Sequence, residues 1–152
     1  MSVEGDLREL YQEVIVDHGR RPRNFRRLDG SARSLEGYNP LCGDKITLYA
    51  DVADDRVRDV AFEGKGCAIS MASASVMTEI LKGKTRAEAE QLFEKFHALV
   101  TRGAEAASDE DLGKLAVFAG VREFPSRVKC AVLAWHTVRA VLAGETEAVS
   151  TE

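Results

Sequence analysis

The chain has 152 residues, of which 45% are hydrophobic and 30% charged, with a formal net charge of −4. This describes one soluble domain, large enough to bury a core without staples. The negative charge argues against a general nucleic-acid binder, the apolar runs at 115–121 and 131–135 are too short for a membrane span, and the charged segment 1–10 is no signal peptide. An odd count of 3 cysteines without close pairs argues against a disulfide framework and fits a reducing cytoplasmic setting.

Residues 6–18 read as a helix, with Leu7, Leu10, Tyr11 and Val14 on one face and Gly19 as its stop. A basic, proline-containing loop, 20–27, follows. Residues 31–36 form a first predicted strand. Ile46, Leu48 and Ala50 alternate along a second, and Val57, Val60 and Phe62 mark a third, with Asp54-Asp55 as the hairpin turn between them. Beyond Cys67 the period becomes helical: Ile69, Ser73, Val76, Met77 and Ile80 share a face, small residues allow close packing, and Gly83 ends the element. Thr85, with Glu88 three positions on, predicts a capping box for a helix reaching about Val100. Ser108 and Asp111 predict another helix, ending near Gly120. Ser126 is the expected cap of the last helix, whose buried stripe is Val128, Ala131, Val132, Trp135, Val138 and Leu142. The tail after Gly144 is expected to fray. The predicted architecture is α+β, a three-stranded antiparallel sheet with helices on one face.

The cysteines occupy three unlike settings. Cys42 lies in the turn Pro40-Leu41-Cys42-Gly43-Asp44, Cys67 follows Gly64-Lys65-Gly66, and Cys130 stands near the start of the last helix, off its main stripe. A lone cysteine is ordinarily a small buried hydrophobe. These contexts instead predict sulfurs placed for exposure. At a helix start, Cys67 meets orphan N–H groups and a dipole that favour a thiolate. Lys65, Arg127 and Lys129 add positive charge near two of the sulfurs. Three thiols and the Asp44 carboxylate make four ligands for a tetrahedral metal, gathered from distant segments rather than from a CxxC pair. Zinc suits this set best; a two-iron cluster takes the same sulfur ligands, and spacing leaves both open. His18 reads as an ordinary helix-end histidine, and His97 and His136 as surface or packing residues.

The stretch Glu36-Gly37-Tyr38-Asn39-Pro40-Leu41-Cys42-Gly43-Asp44 resembles the U-type iron–sulfur assembly proteins, the IscU/NifU N-terminal family. The likeness continues through Phe62-Glu63-Gly64-Lys65-Gly66-Cys67-Ala68-Ile69-Ser70. It takes in Tyr11, Asp17, His18, Pro22, Arg23 and Asn24 upstream and 127–135 downstream. Lys129 stands where one branch of the family has a histidine before the third cysteine, and the segment from Cys67 to Cys130 is long. Both features resemble the SufU branch. Glu123-Phe124-Pro125-Ser126-Arg127 occupies the place of the family's hydrophobic chaperone-recognition motif.

The resemblance implies a zinc-dependent sulfurtransferase. It would accept persulfide sulfur from a SufS-type cysteine desulfurase on Cys42 and pass it to a SufBCD-type scaffold complex. By motif, zinc falls to Cys42, Asp44, Cys67 and Cys130, and a partner histidine is implied to replace Cys42 on the metal. The rivals are a scaffold that builds a [2Fe–2S] cluster from iron on the same cysteines, and a structural zinc protein without turnover.

Overall fold

A computed structural model describes residues 3–29, 32–40, 43–102 and 113–150, with side chains from residue 12 onward. Helix α1 (Val3–Arg20) leads into strands β1 (Arg33–Asn39), β2 (Asp44–Ala53) and β3 (Arg56–Lys65). Helices α2 (Ala68–Leu81) and α3 (Arg86–Arg102), a 3-10 helix (Gly113–Glu123), helix α4 (Pro125–Leu142) and strand β4 (Val149–Ser150) complete the order.

The sheet runs β3-β2-β1-β4. The β1–β2–β3 meander is antiparallel, joined at its second turn by Asp54 and Asp55, whose φ angles of 54° and 62° suit the two-residue turn of a twisted hairpin. The fourth strand corrects the three-stranded reading. Val149 and Ser150 pair in parallel with Gly37 and Tyr38, inside the tail expected to fray. A two-residue strand carries no periodicity of its own, so only the waiting edge of β1 defines it.

Ile46, Leu48, Ala50, Val57, Val60 and Phe62 bury one face of the sheet, against which α2 and α4 pack. Helix α2 is the central element rather than an amphipathic cover. It is buried from Ser70 through Thr78, and its alanines and serines let its neighbours approach on several sides. Gly19 does not end α1, which continues to Arg20. Its role is close approach: a Cβ there would sit 3.3 Å from the carbonyl oxygen of Ala68.

The capping box on α3 is formed in both directions. Thr85 Oγ1 accepts from the Glu88 N–H at 3.1 Å, and Glu88 Oε1 accepts from the Thr85 N–H at 3.0 Å. Ser108 and Asp111 lie outside the described residues; the segment that reaches α4 is a 3-10 helix extending past Gly120 to Glu123. Helix α4 is capped at Phe124, not Ser126, without a side-chain bond. Pro125 takes the first helical position, where its missing N–H costs nothing. Trp135 and Phe118 are fully buried.

Candidate metal and sulfur site

The ends of three elements converge at one end of the sheet. Asp44 opens β2, Cys67 is the residue that caps α2, and Cys130 lies in the second turn of α4. One carboxylate oxygen of Asp44 and the two Sγ atoms all lie within 4.8 Å of one another. Cys42 lies outside the described residues. The structure thus brings together three of the four residues singled out from sequence.

Local rules place each donor. Cys67 has an extended backbone, φ −68° and ψ 166°, and its sulfur accepts the Ser70 N–H at 3.5 Å, as a helix-capping oxygen ordinarily does. Asp44 Oδ1 accepts the Cys67 N–H at 2.8 Å, which ties β2 to the start of α2. Between them, Gly66 leaves room for this contact, because a Cβ there would stand 2.9 Å from Asp44 Oδ1 and displace it.

Burial decides what this cluster can do. Asp44 is 2% exposed and Cys130 0%, while Cys67 is half-buried. Exposure was expected of all the sulfurs, so Cys130 is a correction. Packing of α4 against the sheet and α2 buries nearly every face of that helix, including the side that its sequence pattern left outside the apolar stripe. Among the described residues no cation pairs with Asp44, whose hydrogen bonds come from the Cys67 N–H and from Asn39 Nδ2 at 3.3 Å. A carboxylate buried beside two sulfurs with no cation is costly unless a metal completes it. The Asn39 Oδ1 and Ser70 Oγ atoms nearby are also buried without partners among the described residues. Two soft sulfurs and a hard oxygen at this spacing fit a thiophilic dication.

Sequence reasoning passed over Asn39 and Ser70. Asn39 was legible as the residue before Pro40, but its role depends on the register that sets it opposite Asp44. Of the positive residues near the sulfurs, Lys65 and Arg127 are exposed and Lys129 is half-buried. His18 belongs elsewhere. It is 1% exposed, its Nδ1 lies 2.7 Å from Ser75 Oγ, and burial, then the Arg23 charge, hold its pKa below the ordinary value. His97 and His136 pack against Phe93.

A fold of this kind, carrying an Asp/Cys cluster at the sheet end, defines a class, and comparison with known proteins identifies it. The family model described as the NifU-like N-terminal domain matches residues 10–131. The chain belongs to this family of iron–sulfur cluster assembly proteins. It is 41% identical over 145 residues to the zinc-dependent sulfurtransferase SufU of Bacillus subtilis (strain 168), covering 95% of this chain and 97% of that protein. It is also 41% identical over 133 residues to the iron–sulfur cluster assembly scaffold protein IscU of Streptococcus pyogenes serotype M1, covering 88% and 82%. A crystal structure from Fervidobacterium islandicum AW-1, described as a candidate iron–sulfur cluster assembly scaffold protein for the SUF system, matches with a TM-score of 0.81 at 35% identity, over 88% of this chain and 97% of that one. Among the described residues no helix is long and apolar enough to cross a membrane.

Proposed function

We propose that this chain is a zinc-dependent sulfurtransferase that works in the cytoplasm, between a SufS-type cysteine desulfurase and a SufBCD-type scaffold complex. The convergence of Asp44, Cys67 and Cys130 donor atoms within 4.8 Å carries this reading. The near full-length match to a relative named as such a sulfurtransferase supports it. Cys42, two residues before Asp44, is the fourth ligand and the sulfur acceptor in this reading.

Zinc, when bound, supplies the positive charge that keeps sulfurs deprotonated at neutral pH. Asp44 and Cys130 stand on regular elements and Cys67 caps α2, so all three are suited to holding. In sequence Cys42 stands between Pro40 and Gly43, residue types that favour turns. Its thiolate attacks the outer sulfur of the partner's persulfide. A new S–S bond forms on Cys42, the partner's S–S bond breaks, and the partner's cysteine leaves as a thiolate. The exchange balances without an external oxidant.

A second reading has its own support, since the Streptococcus pyogenes relative of equal identity is named a scaffold. In that case iron and sulfide are cargo, assembled as [2Fe–2S] on the same residues. The two separate by light: a cluster absorbs in the visible, whereas a zinc site is colourless. The direct test mixes the protein with a SufS-type desulfurase and cysteine and follows its mass. An adduct of about 32 Da, one sulfur atom, is expected on Cys42 and is lost in C42A. A C42A protein that still gains the sulfur would remove Cys42 from the acceptor role, and a protein that never gains it would leave only a structural metal.

A further inference from the structure

We propose that Asn39 is a positioning residue that holds Asp44 and Cys130 together as a metal-binding pair. Asn39 closes β1 directly opposite Asp44, which opens β2. Its side chain is completely buried. The amide nitrogen has two hydrogens, and two acceptors meet it: Asp44 Oδ2 at 3.3 Å and Cys130 Sγ at 3.3 Å. One side chain thereby joins the strand pair to helix α4 across 91 residues of sequence.

The other end of the same amide supplies a second, independent observation. Among the described residues Asn39 Oδ1 is buried with no partner. An unmatched buried acceptor is costly, and a residue there only for packing has no reason to keep one. Turning the amide over would not remove the cost, because its oxygen would then face a carboxylate and a sulfur. The orientation is therefore dictated by Asp44 and Cys130, which both need a donor once they carry negative charge. An N–H on a ligating thiolate or carboxylate fixes its direction and moderates its charge, as outer-shell partners do at metal sites.

This inference rests on the metal site of the proposed function, and its test separates the two. Purified N39L and N39A proteins, which lack both donors, are compared with the unchanged protein in zinc competition against a chromophoric chelator and in the sulfur-to-metal absorption of the cobalt(II) form. Melting of the metal-free proteins checks folding, and N39A serves if N39L does not fold. The expected result is roughly 10- to 100-fold weaker zinc binding. The cobalt band should also move to lower energy, because the Cys130 sulfur has lost a hydrogen bond. Variants that bind zinc as tightly as the unchanged protein, with an unmoved cobalt band, overturn the role of Asn39 alone. Lower melting temperatures with an unmoved band show a packing role and also overturn it. An unchanged protein that takes up neither zinc nor cobalt sinks the metal reading itself.

Discussion

Two polar clusters, each with buried members, lie toward opposite ends of helix α2, and they are built differently. Toward the C-terminal half of α2, Ser75 Oγ meets His18 Nδ1 at 2.7 Å and accepts the Arg23 N–H at 2.8 Å. Beside it, Asn24 Nδ2 donates to Thr78 Oγ1 at 3.0 Å, and Lys82 donates to Asn24 Oδ1 at 2.6 Å. None of these side-chain atoms is left without a partner. At the N-terminal end of α2, among the described residues, Asp44 has no cation, and Asn39 Oδ1 and Ser70 Oγ have no hydrogen-bond partner. The first cluster is complete as folded and fastens α1 and its following loop to α2. The second is incomplete as folded, which is the mark of a site that expects a ligand.

The largest expected effect tests that incompleteness. Saturating zinc should raise the melting temperature on the order of 10 °C, since ligand at a thousandfold excess over its Kd adds about 4 kcal/mol. In D44N this rise should largely vanish. The metal-free D44N protein should melt no lower than the unchanged one, because a buried charge without a cation has been removed. Asn39 can then turn its unpartnered oxygen toward the new amide. A metal-free D44N protein that melts well below the unchanged chain would mean that Asp44 is part of the fold's own polar network.

A smaller effect is expected at the other cluster. S75A leaves the Arg23 N–H and the His18 ring without their shared partner. This costs about 1–3 kcal/mol, equally with and without zinc. Calorimetry in both states decides it, and a loss seen only with zinc would tie this cluster to the metal site.

The smallest effect follows from pH. Burial, foremost, lowers the pKa of His18, and also that of His136, below the ordinary 6.5. The unfolded chain therefore takes up these protons first. The stability they confer is complete above about pH 6.5 and is lost as pH falls from there towards the folded-state values, at roughly 1.4 kcal/mol per pH unit for each proton. Unfolding of the metal-free protein between pH 7.5 and 5 should show this slope, and H136F should reduce it. Stability that is flat or rises as pH falls over that range would contradict the burial of these rings.

Sequence by itself determined whatever depends on neighbours a few positions apart. The Thr85–Glu88 capping box, the Asp54-Asp55 turn and the placement of Cys67 at the head of a helix each rest on local geometry. Resemblance along the motif at 36–44 and 62–70 pointed to the family, because that order of residue types is itself a sequence property. Only the tertiary structure decided the rest. Burial of Cys130 comes from α4 being covered on nearly all sides, β4 from the open edge of β1, and the need for a glycine at position 19 from the nearness of Ala68. The pairing of Asn39 with both Asp44 and Cys130 needs a strand register and a helix position at once. Contacts between segments this far apart are fixed by how whole elements pack, and no short window of sequence contains that information.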